Sequence, residues 1–243
     1  MKYSIKVIIP ALNEEKAVGP VVSQLLALVS ELNITEVIVV NNDSTDQTAT
    51  VASAAGATVL EESIRGYGKA CLKGIAYLKQ LPPEQQPDIV AFIDADGSDY
   101  PEELTELITP MVNQNYDMVI GSRALGEREQ GAMTIPQVFG NWLATTLIRW
   151  IYGVQFTDLG PFRTIKWQQL LVLDMQDVDF GWTVEMQVKA AKRGLKSTEV
   201  AVNYRRRKAG KSKVSGTIRG TFLAGHKILW TIFREAFSKN HPS

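Results

Sequence analysis

The sequence predicts an α/β protein built on a mostly parallel, Rossmann-like central sheet flanked by helices, and three observations predict it. Short Val/Ile-rich runs alternate with helical patterns through the first half of the chain, the signature of a sheet covered by helices. Several of these runs end in polar or acidic residues, and ligands of such sheets gather beyond the carboxyl ends of the strands. At 243 residues, 45% hydrophobic and 21% charged, the chain can bury the core of one large domain and is neither disordered nor fibrous.

Strands are expected at Ile5 to Ile9, Glu36 to Asn41, Thr58 to Leu60, Ile89 to Asp94 and Met118 to Ser122, with helices between them. Asp43 to Thr45 supplies helix-start chemistry, Gly56 ends that helix and Pro82-Pro83 ends the next. Pro101-Glu102-Glu103 reads as the first turn of another, with acids near its positive end. After Ser122 the alternation lapses. Arg123 to Pro136 reads as a long polar loop, Gln137 to Tyr152 and Trp182 to Arg193 as helices, and Ser197 to Tyr204 as a late strand. Residues 1–215 are expected to form the main α/β domain, which carries any site, and residues 216–243 a C-terminal amphipathic helix.

Lys+Arg and Asp+Glu stand at 26 each, so the overall charge gives no reason to expect nucleic-acid binding. The basic segment from Tyr204 to Arg219 also lacks the interleaved aromatics of a single-strand platform. Cys71 is the one cysteine, which excludes an internal disulfide and a cysteine zinc site and fits a reducing cytoplasm. No secretory leader is read at the N-terminus and no stretch reads as a membrane span.

The most telling run is Phe92-Ile93-Asp94-Ala95-Asp96-Gly97. An Asp-x-Asp at a strand tip can turn carboxylate oxygens toward a divalent cation and the phosphates it bridges. Three other runs converge on the same end of the sheet. In Pro10-Ala11-Leu12-Asn13-Glu14 a strand stops at polar groups able to hold a ribose or base edge, or to start a helix. Asn41 and Asn42 end another strand with adjacent amides, each both donor and acceptor. Arg65-Gly66-Tyr67-Gly68-Lys69 reads as a diphosphate cradle, with Gly68 allowing close backbone approach and Lys69 opening a helix. It is neither a Walker A motif nor a dinucleotide fingerprint.

In order and spacing these motifs resemble family-2 glycosyltransferases of the glycosyltransferase A fold, particularly the dolichol- and polyprenyl-phosphate mannosyl- and glucosyltransferase branch. The likeness spans about residues 5 to 220. It continues through Gly121-Ser122-Arg123, Asp158-Leu159-Gly160-Pro161-Phe162-Arg163 and Gly210-Lys211-Ser212-Lys213. It implies that Pro10, Leu12, Glu14 and Asn42 hold the nucleoside, with Asp94 near the ribose. Asp96 is implied on Mg2+ or Mn2+ at the diphosphate, and Arg123 near the acceptor. The segment from Arg205 to Lys213, including Arg207, Ser212 and Lys213, is implied to close over phosphates. One departure bears on the donor: the family's common Asp-Asp-Gly-Ser is here Asn41-Asn42-Asp43-Ser44. An amide suits the donor-beside-acceptor edge of uracil better than the paired donors of guanine, which favours a UDP-sugar over GDP-mannose.

The implied reaction is inverting displacement at an anomeric carbon with a nucleoside diphosphate leaving. A polyprenyl phosphate acceptor is already anionic and needs arginines more than a base; Arg123, Arg128, Arg163 and Arg205 fit that demand. An alcohol acceptor needs a carboxylate, and Asp158 and Glu185 are the candidates, for that role or for binding sugar hydroxyls. A salt bridge to one of the arginines is the plain alternative.

Two helices carry Trp beside Arg or Lys. One includes Phe139, Trp142 and Trp150; the other includes Phe222, Leu223, Trp230 and Phe233. Such faces lie in a bilayer's headgroup layer, pack on the sheet, or form a homodimer interface. The expectation is a peripheral protein at the cytoplasmic membrane face. A soluble acceptor, or a non-catalytic sugar-nucleotide-binding protein, is the alternative.

Overall fold

The computed structural model describes residues 3–207 and 218–237, with the side chains of the last helix described from residue 225 onward. Ser212, Lys213 and most of the basic segment lie outside the described residues, as do the side chains of Phe222 and Leu223.

The first half runs β1 (Ile5–Ala11), α1 (Val18–Ala27), α2 (Val29–Leu32), β2 (Ile34–Asn41), α3 (Thr48–Ala54), β3 (Thr58–Glu61), α4 (Tyr67–Gln80), β4 (Ile89–Phe92), α5 (Leu104–Asn113) and β5 (Met118–Ser122). The second half adds α6 (Ile135–Tyr152), β6 (Arg163–Lys166), α7 (Trp167–Leu173), α8 (Trp182–Lys192), β7 (Ser197–Ala201) and α9 (Ile218–Phe237). The strands form one sheet in the order β3-β2-β1-β4-β6-β5-β7. All pairings are parallel except those of β6, which runs antiparallel to both β4 and β5.

Because side chains alternate across a strand, β1 feeds two cores. Ile8 packs with Ile38, Phe92 and helices α4, α6 and α8 on one face. Ile5, Val7 and Ile9 pack with α1, α3 and α5 on the other. Burial on both faces explains why the central strands read as unbroken apolar runs. Each fully buried side chain such as Leu25 or Leu107 contributes about 1.5–3 kcal/mol of transfer free energy.

The sequence reading lacks helix α7, starts β2 two residues late, and differs at four further places. Strand β4 stops at Phe92, so Asp94 and Asp96 stand on the turn beyond it and not in the ladder. Strand β6 is absent from the sequence reading because its four residues carry an arginine and a lysine. That arginine, Arg163, is itself fully buried. Helix α6 begins before Gln137, since Thr134 and Gln137 make a reciprocal capping box and Gly153, at φ +70°, closes the far end. Strand β7 ends at Ala201; Tyr204 beyond it makes only isolated bridges to Asp99 and Arg128.

Helix α9 packs across α6 and α8. Tyr152 Oη donates to the Ile232 carbonyl at 2.6 Å, Lys192 Nζ donates to the Glu235 carbonyl at 2.6 Å, and Thr231 and Ile232 are fully buried.

Candidate active site

The tips of β1, β2 and β4 meet where the chain leaves the central strand β1 in both directions across the sheet, which is the topological switch point of an open α/β sheet. A cavity of about 390 Å3 opens there, walled by Pro10 at the end of β1 with Leu12 and Glu14 beyond it, Asn42 after β2, Arg65 to Tyr67 at the start of α4, and Asp94 to Asp96 after β4. Arg207 closes one side, and Asp179 and Phe180 arrive from the loop before α8.

The acids form the floor. Gly97 takes φ +72°, and the Ser98 N–H donates to Asp96 Oδ1 at 2.8 Å, so the turn holds Asp96 at the cavity. Asp94 accepts from Tyr67 Oη at 3.1 Å. Burial, reinforced by the Asp96 carboxylate, pushes Asp94 up to about 7 against the pull of Tyr67, Arg123 and Arg207. Asp99 is buried behind them with no hydrogen-bond partner for either carboxylate oxygen among the described residues, and burial followed by the charges of Asp94 and Asp96 holds it well above the ordinary range. The floor is therefore a crowd of carboxyl groups that burial and mutual repulsion keep from all ionising together.

Arg207 Nη2 answers part of it, at 2.6 Å from Glu14 Oε1 and 3.2 Å from Asp96 Oδ2. Arg65 pairs with Asp43 at 2.9 Å on the rim. Among the described residues no group of three or more His, Cys, Asp or Glu is disposed to hold a metal ion. The donor set at Asp94 and Asp96 still fits a hard cation that takes one or two carboxylates from protein and completes its shell with diphosphate oxygens and water, the usual manner of Mg2+.

Several predicted residues turn inward instead. The Asn42 amide donates to the carbonyls of Glu62 at 3.1 Å and Ile64 at 2.8 Å, and its Oδ1 accepts the Gly66 N–H at 2.8 Å. That side chain pins the loop before α4, and both of its amide hydrogens are spent on protein. Asn41 reaches Glu61 at 2.7 Å. Asn13, at φ +53°, accepts the Thr45 N–H at 2.7 Å and so clasps the loops after β1 and β2 together.

Gly68 makes the expected close approach, but to protein: a Cβ there would lie 2.0 Å from the Asp177 carbonyl oxygen. The Lys69 N–H donates to Val178 O at 2.9 Å, and neither residue walls the cavity. Glu185 is fully buried in α8, where it accepts the Gln176 and Asp177 N–H groups and pairs with Lys189 at 2.8 Å. It supports the loop carrying Asp179 and does not reach the cavity.

The arginines separate in the same way. Arg123 forks onto Asp158, Nε to Oδ2 at 2.7 Å and Nη2 to Oδ1 at 2.8 Å, while its own N–H donates to Oδ2 at 2.8 Å. Burial raises the cost of charge on Asp158, but Arg123's charge and hydrogen bonds outweigh it and hold the carboxyl below its ordinary range. The pair is thus a charged unit, and Asp158 is no free base. Arg163 is wholly buried and donates to the carbonyls of Leu159, Gly160 and Thr183, which removes it from any acceptor-binding set. Arg205 Nε donates to Gly97 O at 2.7 Å and its guanidinium lies over Tyr100, bracing the Asp96 turn from behind. Arg128 is exposed and lines a second cavity of about 360 Å3 with Trp142, Arg149 and Asp158.

Sequence reasoning missed Tyr67, Asp179, Phe180 and Arg149. Tyr67 stood inside the glycine motif and was passed over for its neighbours. The run Asp177-Val178-Asp179-Phe180-Gly181 resembles an ordinary helix-start turn, and only tertiary contact brings it to the site.

A mostly parallel α/β sheet with an acidic floor at its switch point has the architecture of the glycosyltransferase A fold. The family model for glycosyl transferase family 2 matches residues 6–168, and the chain belongs to that family. An uncharacterized glycosyltransferase of Mycobacterium tuberculosis is 35% identical over 223 residues, covering 91% of this chain and 94% of its own. The undecaprenyl-phosphate mannosyltransferase of Micrococcus luteus is 28% identical over 88% of each chain. Among solved structures, glucosyl-3-phosphoglycerate synthase of M. tuberculosis, crystallised with Mn2+, UDP-glucose and phosphoglyceric acid, superposes with TM-score 0.74 at 21% identity. That match covers 99% of this chain and 82% of the other and speaks for the fold.

Proposed function

We propose that this enzyme transfers a hexose, with inversion, from a UDP-sugar to a polyprenyl phosphate at the cytoplasmic membrane face. The carrying observation is the paired Asp94 and Asp96, with Arg207 beside Asp96, in a cavity at the sheet's switch point. A divalent cation bound by Asp96 would neutralise charge on the departing diphosphate. Arg207 stands beside Asp96 to help hold the leaving phosphates, and Tyr67 orients Asp94 toward the ribose. Preorganised charge of this kind lowers a barrier by on the order of several kcal/mol in a closed site.

Support for UDP no longer comes from Asn42 but from the similar fold crystallised with UDP-glucose. Support for a lipid phosphate comes from the undecaprenyl-phosphate relative and from the second cavity. There Arg128 and Arg149 offer cations for a phosphate beside the apolar faces of Trp142, Val138 and Met133. Helix α6 continues that apolar surface with exposed Ile135, Phe139 and Trp150, and α9 adds Trp230 and Phe233. Among the described residues no helix is long and apolar enough to cross a membrane, so these faces would lie in the headgroup layer.

A soluble phosphorylated acceptor is the second reading, favoured by the phosphoglyceric acid complex of the similar fold. Transfer assays with UDP-glucose and GDP-mannose, each against a short polyprenyl phosphate and against 3-phosphoglycerate, test both. Product on the polyprenyl phosphate alone is expected. Product on phosphoglycerate alone would replace the lipid with the soluble acceptor.

A further inference from the structure

The geometry points to Lys227 and Thr231 of α9 as positioning residues for the donor site, acting through Asp177 on the loop that carries Asp179 and Phe180 into the cavity. The inference rests on the donor-site reading above. Helix α9 lies across α6 and α8, and nothing in the chemistry of the cavity requires it. Its inner face nevertheless sends polar groups into the donor-side loop. Lys227 Nζ lies 3.1 Å from Asp177 Oδ2, and Thr231 Oγ1 lies 3.4 Å from the same oxygen.

Asp177 is buried in the centre of this arrangement, and its two oxygens face opposite duties. Oδ2 takes the contacts from α9, while Oδ1 accepts the Asp179 N–H at 2.9 Å. One carboxylate thus ties the helix to the residue that walls the cavity. Gly181 is what lets the three come together: a Cβ there would sit 2.5 Å from both Asp177 Oδ2 and Thr231 Oγ1. The loop is then pressed on the turn before α4, where the Val178 carbonyl accepts the Lys69 N–H at 2.9 Å and lies against Gly66, another wall of the cavity. Two walls of the donor site therefore lean on the buried Asp177 carboxylate, which α9 contacts from one side while Glu185 holds the backbone of the same loop from the other. A helix that only covered apolar core would need Ile232 there and no partly exposed lysine set against a buried carboxylate, whose charge is costly to desolvate unless matched.

The test is calorimetric titration of UDP with Mn2+ into the full-length wild type and the variants Lys227→Met, Lys227→Arg and Thr231→Val, with the melting temperature of each. We expect Lys227→Met to bind UDP about tenfold more weakly, as loss of a supporting contact behind a site does, and Lys227→Arg to restore the affinity. Thr231→Val, which removes only the hydroxyl, should weaken UDP less and leave the melting temperature unchanged. In turnover the loss should fall on the KM of the sugar nucleotide and not on that of the acceptor. A lowered melting temperature in Lys227→Met with wild-type UDP affinity in both Lys227→Met and Thr231→Val would overturn the inference and leave the donor site standing. A wild type that binds neither UDP nor GDP would overturn the donor-site reading and this inference with it.

Discussion

Asp158 has a side chain only 1% exposed, yet stays charged because Arg123 meets it with three hydrogen bonds from one residue. Replacing it by alanine leaves a buried guanidinium without its partner, so Asp158→Ala should lose about 3–5 kcal/mol of stability in denaturant unfolding. Asp158 and Asp94 should also pull pH dependence in opposite directions. A carboxyl held below its ordinary range, like Asp158, contributes stability above its unfolded pKa and loses it as pH falls. Asp94, raised to about 7, keeps a proton in the folded protein that the unfolded chain gives up near 3.8. Its effect is a loss of stability as pH rises between those values. Unfolding of the metal-free protein at pH 5 and pH 8 checks this: Asp94→Asn should remove part of the decline, and an unchanged decline would refute the assignment. The Asp-x-Asp pair was legible in the sequence because it is a local turn after a strand. The inward bonding of Asn42 was not, since its partners at 62, 64 and 66 are fixed by how the next loop folds back.

At the scale of elements, the proposed donor site depends on α4 beginning hard against the loop before α8. Gly68 is central, because any side chain there strikes the Asp177 carbonyl. Gly68→Ala should therefore separate the two segments and reduce UDP binding more than tenfold, on the scale of a lost support behind a bound group. Retained affinity would show that the contact is incidental. The strands β1, β2, β4 and β5 were legible because parallel strands buried on both faces are apolar throughout. Strand β6 was not, because a short strand whose first residue is a buried arginine has no apolar periodicity to reveal it. The arginine itself caps carbonyls that no sequence pattern announces.

Over the whole molecule, charge is balanced at 26 basic and 26 acidic residues, while exposed aromatic side chains gather on α6 and α9. Trp150 is 78% exposed and Trp230 57% exposed. If these faces lie in a headgroup layer, flotation with anionic vesicles should carry the wild type up. A Trp142→Ala, Trp150→Ala double variant should stay at the bottom with its UDP affinity intact. Wild-type protein that fails to float would leave the soluble acceptor as the better reading. The fold could be anticipated from alternation and strand-tip chemistry, but the division of the arginines between bracing and binding could not. Arg123, Arg163 and Arg205 look alike in sequence, and only packing assigns them to a carboxylate, to buried carbonyls and to the back of the Asp96 turn. The account as a whole rests on the cavity above Asp94 and Asp96 being a nucleoside diphosphate site. Calorimetric titration of the purified protein with UDP and with GDP, each with and without Mn2+, tests it most directly. Binding of UDP that tightens on adding Mn2+ and is lost in Asp96→Asn is the predicted result; no binding of either nucleotide in the presence of the metal would contradict it.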